Sequence, residues 1–345
     1  MTTGAAEPKG SGSPQQRARH IPVLLAEVLE ALQPIGRQDF IDATFGAGGY
    51  TAALLEAGAG RVVAIDRDPS AICGGLALLG AHPGRLTLRQ GCFRDMERYA
   101  AEAGLTGADG VVLDIGVSSM QLDQPERGFS FQSDGPLDMR MSETGVSAAD
   151  VVNGGSEAEL ADIFFHLGEE RRSRAIARAI VADRKAEPFT RTAELAGLIE
   201  RIIGRGREPG RHPATRVFQA LRIYVNDELG ELAAALVAAE ALLKPGGRLA
   251  VVTFHSLEDR IVKAFLKERT GREAQPSRHA APMTAAVRPP SFHFVNQRPL
   301  SPSDEEIARN PRARSARLRW AVRTDAAAWG GPFRPPGTEV RLASG

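Results

Sequence analysis

The sequence predicts an α/β protein in which a mostly parallel sheet is interrupted by an inserted all-helical domain. Three observations carry this. From Phe40 to about Ser119, short apolar runs alternate with helix-like segments, and strands spaced by helices imply parallel pairing with right-handed crossovers. Between Ser119 and about Asn226 the alternation stops, then resumes at "LLKPGGRLAVVTFHS". The cluster Gly46-Ala47-Gly48-Gly49 sits between a strand-like and a helix-like run, a junction whose exposed amides point at a ligand.

The elements follow in order. "FIDATFG" reads as a first strand and "YTAALLEAG" as a helix closed by glycine. "RVVAIDRD" is a second strand, "PSAICGGLALLG" a second helix and "RLTLRQG" a third strand. "DGVVLDIGVS" has the near-continuous apolar run of a strand covered on both faces. Ser156-x-x-Glu159 is a capping box opening "EAELADIFFHLG", with Gly168 as the helix end. Further helices are expected over 170–185, 192–204 and 214–243. Pro-Gly-Gly makes the turn into a fifth buried strand, and "SARLRWAVR" (315–323) alternates as a last one. The expected organisation is a disordered tail over 1–19, a discontinuous sheet domain over 20–125 and 227–325, the insertion over 126–226 and a flexible tail over 326–345.

Composition narrows the function classes. A chain of 345 residues has room for two domains. The net charge of +1 means that affinity for nucleic acid must come from local patches. Residues 171–222 hold 13 Lys/Arg against 5 Asp/Glu, and residues 288–323 hold 8 arginines against 3 acids. Such patches suit phosphate contacts and arginine stacking, although either alone is equally a solvated surface. Cys73 and Cys92 form no CxxC pair, which argues against a disulfide scaffold or a zinc site; no metal is expected, and the reading is a reducing cytoplasm. No apolar run approaches the roughly 18 residues of a membrane helix, and "MTTGAAEPKGSGSPQQRAR" lacks the core of a signal peptide.

The cofactor is not a dinucleotide on this reading. Gly46-Ala47-Gly48-Gly49-Tyr50-Thr51 lacks the third glycine of G-x-G-x-x-G. Asp66 ends the second strand, where a carboxylate accepts hydrogen bonds from ribose hydroxyls. Phe93 follows the third strand, placed to lie against a purine. These features, with the "KPGGRL" turn, resemble the class I S-adenosylmethionine methyltransferases, whose Rossmann-like sheet holds the amino-acid end of S-adenosyl-L-methionine against the glycine loop. A dehydrogenase using NAD is the first alternative, disfavoured by the incomplete fingerprint. A non-catalytic RNA-binding protein on the same fold is the second, disfavoured because every cofactor position is chemically intact.

Longer strings are more specific. "HIPVLLAEVL" (20–29), "DIGVSSMQLDQPERGFSFQSDGPLDMRM" (114–141), "HPATRVFQALRIYVNDEL" (212–229), "TFHSLEDRIVK" (253–263) and "NPRARSARLR" (310–319) closely resemble the ribosomal RNA small subunit methyltransferase H family. The resemblance implies methylation of the exocyclic amine of a decoding-centre cytidine in 16S ribosomal RNA, with the small ribosomal subunit as partner. Self-association is left open, a homodimer being the form considered. It also implies cofactor contacts at Gly48, Gly49, Tyr50, Asp66, Phe93, Asp114 and Gln121. Tyr50 stands where the family commonly has histidine, which leaves any side-chain role there open.

A cytosine amine is a poor nucleophile because its lone pair is delocalised, so the enzyme must accept a hydrogen bond from it and hold it against the methyl. Asp114, Ser118 and His255 are the candidates. "DIGV" lacks the prolines and aromatic of the common D/N/S-P-P-aromatic motif, which puts cofactor contact ahead of a catalytic role for Asp114. His255 is equally read as an anchor of a strand–helix junction, with Ser256 and Asp259 as a helix cap. Gln219, Arg222 and Asn226 share a helical face, by default a solvated one and otherwise a lining of the cleft. Carbon-5 methylation would need a cysteine nucleophile, and both cysteines lie outside the strand ends where it would sit.

Overall fold

The computed structural model describes residues 22–34, 36–142, 144–204, 212–272, 288–295 and 298–335. The tail expected over 1–19 and residues 336–345 lie outside them. Seven strands form one sheet: β1 (Asp39–Asp42), β2 (Arg61–Asp66), β3 (Leu86–Gln90), β4 (Ala108–Asp114), β5 (Leu243–Thr253), β6 (Phe292–Phe294) and β7 (Arg317–Arg323). Their order is β3-β2-β1-β4-β5-β7-β6. The first five strands are parallel, and β7 runs antiparallel between β5 and β6. This is the class I methyltransferase sheet that the sequence predicts. The strand order reverses between β1 and β4, and open α/β sheets bind ligands at the carboxyl ends of strands beside such a switch point.

The apolar runs are explained by burial on both faces. In β4, Val111 and Leu113 belong to one core cluster and Val112 to the other; in β5, Leu249 and Val251 face the first cluster, Ala250 and Val252 the second.

Between β4 and β5 lie the helices Ala148–Gly154, Glu157–His166, Ser173–Asp183, Thr192–Ile203 and Thr215–Asn226. Several expectations are corrected here. The helix expected over 214–243 is two, Thr215–Asn226 and Glu228–Leu242, broken at Asp227 with φ 47°. Aspartate tolerates this left-handed conformation better than most residues. The second helix is likewise split, at Gly75, where the Phe45 ring leaves no room for a Cβ. Pro-Gly-Gly does not precede β5 but lies within it: Ala108 pairs with Leu243 and Gly110 with Arg248, so the extra residues are taken up as an irregularity of register. β6, three residues long, is too short to show a period. In the C-terminal stretch, Trp329 donates its indole N–H to the Pro289 carbonyl at 2.9 Å, and Phe333 meets Phe265 edge-on. No described helix is long and apolar enough to cross a membrane.

Candidate functional site

The glycine loop follows β1 and is pinned from both neighbouring strands. The Gly46 amide donates to Asp66 Oδ2 at 2.7 Å, and the Asp114 amide donates to Thr44 Oγ1 at 2.7 Å. Gly48 has φ 80°, and a Cβ there would lie 2.8 Å from the Phe45 ring; a Cβ on Gly49 would collide with Pro22. Both glycines are therefore required by the close approach of their neighbours, and Gly48 also by its backbone.

Three carboxylates lie around this loop. Burial pushes Asp66 up to about 6, against the amides of Asp68 and Gly46, which favour its ionised form. Burial, with the nearby Asp66 charge adding to it, pushes Asp42 to about 6 although Thr51 and Thr44 donate to it. Asp114 is held well above the usual carboxylate range, first by burial and then by Asp42 and Glu258. Its Oδ1 is buried without a hydrogen-bond partner. A buried, unpaired acceptor at the carboxyl end of β4 is a place for a ligand's donor.

The sheet brings Gly48, Gly49, Asp66, Phe93 and Asp114 to the carboxyl ends of the four adjacent strands β1 to β4. Phe93 opens a short 3-10 helix after β3 and stays partly exposed. Tyr50 is turned away: its hydroxyl donates to the Val23 carbonyl and the residue is 4% exposed. Gln121 is buried with both polar ends engaged, Oε1 accepting from the Ser118 amide at 3.0 Å and Nε2 donating to Asp68 Oδ2 at 2.8 Å. Ser118 Oγ in turn accepts from the Gln121 amide, closing a capping box on helix Ser119–Asp123.

His255 stands at the end of β5, one strand beyond Asp114. The helix cap falls one residue earlier than expected, on His255 and Glu258 and not on Ser256 and Asp259. The reason is geometric: His255 is extended, and Glu258 Oε2 reaches back to the amides of Phe254 and His255 at 2.7 and 3.1 Å. Asp259 instead pairs with Arg319 at 2.7 Å. Burial works against the Glu258 charge, but His255 and Arg222 hold it below its ordinary range. Glu228, His255 and Glu258 bring ligand-type atoms within 4.8 Å of one another. A metal fits them poorly, because Arg222 holds Glu228 with two bonds at 2.7 and 2.8 Å. His255 Nδ1 also accepts from the Glu258 amide, leaving the ring proton on Nε2 where a metal would need the lone pair.

Sequence reasoning missed a set of clasps behind the site. Asp68 accepts from Ser70, Gln121 and Arg127, which together outweigh its burial and hold it below the usual carboxylate range. Arg127 also donates to the carbonyls of Arg140 and Met141 at 3.1 Å. Arg67 Nη1 donates to the Asn226 carbonyl at 2.8 Å, and Arg94 pairs with the buried Glu231. The Asn226 side chain bonds the Met141 amide and the Met139 carbonyl, both at 2.8 Å. Of the face expected to be solvated, Asn226 is therefore buried in polar contacts and Arg222 is tied to Glu228. Asp68 had a local signal, an Asp before Pro at a helix start. The other partners are up to 159 residues apart and leave no periodicity to find.

Comparison with known proteins adds a family. A model of the MraW methylase family matches residues 17–324. The ribosomal RNA small subunit methyltransferase H of Methylorubrum extorquens (strain PA1) is 59% identical over 338 residues, covering 97% of this chain and 93% of that protein. The protein of the same name from Rhizobium etli is 58% identical over 325 residues, covering 94% and 92%. That from Rhodospirillum rubrum is 57% identical over 313 residues, covering 90% and 96%.

Proposed function

Because the chain belongs to the MraW methylase family, we propose that it methylates the exocyclic amine of a decoding-centre cytidine in the 16S RNA of the small ribosomal subunit. At the coarser level it is an S-adenosylmethionine-dependent ribosomal RNA methyltransferase, as membership and its relatives' names give, and the dehydrogenase alternative falls with that. The cytidine amine, the site roles and a cytoplasmic location are our reading.

The observation that carries the site is the unpartnered, buried Oδ1 of Asp114 beside the glycine loop. The residues around it fit the cofactor. Gly48 and Gly49 let the loop pack tightly on Phe45 and Pro22 and present its backbone to the cofactor's amino-acid end, Asp66 accepts from its ribose and Phe93 offers a ring face to its purine. Tyr50 contributes through its backbone amide, since its side chain is committed to Val23. Gln121 contributes by fixing the Ser118 turn, its amide being engaged with Asp68. When bound, the cofactor supplies a methyl on a sulfonium, which leaves as a neutral thioether.

The chain's own part is orientation, which supplies on the order of 7–11 kcal/mol of a barrier. Asp114 serves the cofactor first. Ser118 accepts from the Gln121 amide through Oγ and still has its hydroxyl proton to place. His255 turns Nε2 to Glu258 Oε1 at 2.9 Å and accepts from the Glu258 amide through Nδ1, so its ring anchors the start of helix Ser256–Arg269 and is not the acceptor for the amine. The helices within 126–226 form the RNA clamp, since a folded RNA must present or flip its base into a pocket. The test is labelled methyl transfer to small subunits from cells lacking this protein, followed by mass mapping. A label on one cytidine base nitrogen is expected; a label on carbon or ribose would overturn the reading.

A further inference from the structure

A pocket of about 460 Å³ opens beyond the end of β5, and we propose that it holds a backbone phosphate of the RNA next to the target nucleotide. This rests on the function proposed above. Its walls come from three distant parts of the chain: Arg216 and Gln219 on helix Thr215–Asn226, His255 and Ser256 at the start of helix Ser256–Arg269, and Arg314 and Arg317 beside β7. Its volume is in the range of ligand sites.

The charge balance selects an anion. The two acids in the lining are already matched: Glu169 pairs with Arg260 at 3.1 Å and accepts from Ser256 Oγ at 3.0 Å, and Asp259 pairs with Arg319 at 2.7 Å. Against these, the lining carries Arg314 and Arg317. Arg314 is exposed. Arg317 is steadied by neutral acceptors, Ser301 Oγ at 3.1 Å and the Ala316 carbonyl at 2.9 Å, which orient the guanidinium without cancelling its charge. Guanidinium groups converging on a polar pocket match the oxygens of a phosphodiester.

Its position selects RNA over a free anion. β5 lies two strands from β1 in the sheet, about 10 Å at the ordinary strand spacing. Phe254 lines the pocket, and a Cβ on Gly116 would lie 3.5 Å from its ring, so Phe254 stands between the pocket and the loop after Asp114. A nucleotide entering the methyl-transfer site from this side would lay its backbone across the arginines. The pocket also gives a use to the basic run "NPRARSARLR".

The test compares the full-length wild type with Arg314→Gln, Arg317→Gln and the double variant, binding small ribosomal subunits over a salt series. Arg61→Gln, at the opposite end of the sheet and paired with Asp39, is the control. The double variant should bind roughly tenfold or more weakly. Its plot of log affinity against log salt should flatten by roughly 0.7–0.9 for each phosphate it no longer neutralises, with cofactor affinity unchanged. An unchanged affinity and slope, or an equal loss in Arg61→Gln, would overturn the proposal. A loss of affinity without a change of slope would also overturn it, by assigning the pocket to a neutral part of the RNA. Wild-type protein that bound subunits but methylated none would refute the proposed function alone, while the slopes would still decide the pocket.

Discussion

Lowering the pH from about 8 to about 5 titrates Asp66, the carboxylate that holds the glycine loop through Gly46 and, in our reading, receives the ribose hydroxyls. Those hydroxyls donate, so the complex favours the ionised carboxylate, whereas burial holds the unliganded group at about 6. Below that value the ligand must displace a proton, at a cost of about 1.4 kcal/mol per pH unit. Affinity at about pH 5 should then be roughly tenfold weaker than at about pH 8. The effect on the fold runs the other way. A carboxyl raised from 3.8 to about 6 leaves the unliganded protein most stable below 3.8 and less so as pH rises to about 6. Weaker binding in acid is therefore not unfolding through this group. Calorimetry in buffers of different ionisation enthalpy should find close to one proton released on binding at about pH 5 and almost none at about pH 8. Asp66→Asn should flatten the dependence, while Asp42, also at about 6, remains in that variant as an internal control. An affinity independent of pH, or the same slope in Asp66→Asn, would refute the reasoning.

Other outcomes follow from the same geometry. Asp114→Asn removes a carboxylate whose ionised form burial disfavours, and should stabilise the unliganded protein by about 1–3 kcal/mol at pH values where Asp114 is ionised. The gain should shrink in acid, where Asp114 is itself protonated, and a destabilised variant in urea unfolding would show the carboxylate to be paired. In single-turnover transfer at saturating cofactor, Asp114→Asn and Asp114→Ala should both recover; an alanine variant that binds cofactor but stays inactive would move Asp114 to the amine. Tyr50→Phe should cost about 1 kcal/mol of stability through the lost bond to Val23, and weakened cofactor binding would instead put the side chain in the site. Charge reversal at the exposed Arg171, Arg172 and Arg174 should lower RNA affinity and flatten its salt dependence. An unaltered slope would make them a solvated helix face.

The sequence by itself determined the parallel sheet, because strands buried on both faces need continuous apolar runs and such runs are visible locally in "VVLD" and "LAVVT". It also placed Gly48, Gly49, Asp66, Phe93 and Asp114 at strand ends, since position within a strand–turn–helix repeat is a short-range property. Helix ends were legible where a side chain caps its own turn, as at Ser156. Tertiary structure alone decided which way those side chains point and what they are worth. Tyr50 faces Val23, Gln121 is spent on Asp68 and Asp114 is left unpaired because of chain segments distant in sequence. The break at Asp227 is of the same kind. A helical pattern runs straight through it, and only Asn226, pulled into the 139–141 segment, and Arg67, reaching its carbonyl, mark the place where the chain turns. Periodicity records what a residue's near neighbours require. Desolvation, close approach and long-range hydrogen bonding exist only once distant segments meet, and the chemistry of this site depends on those three.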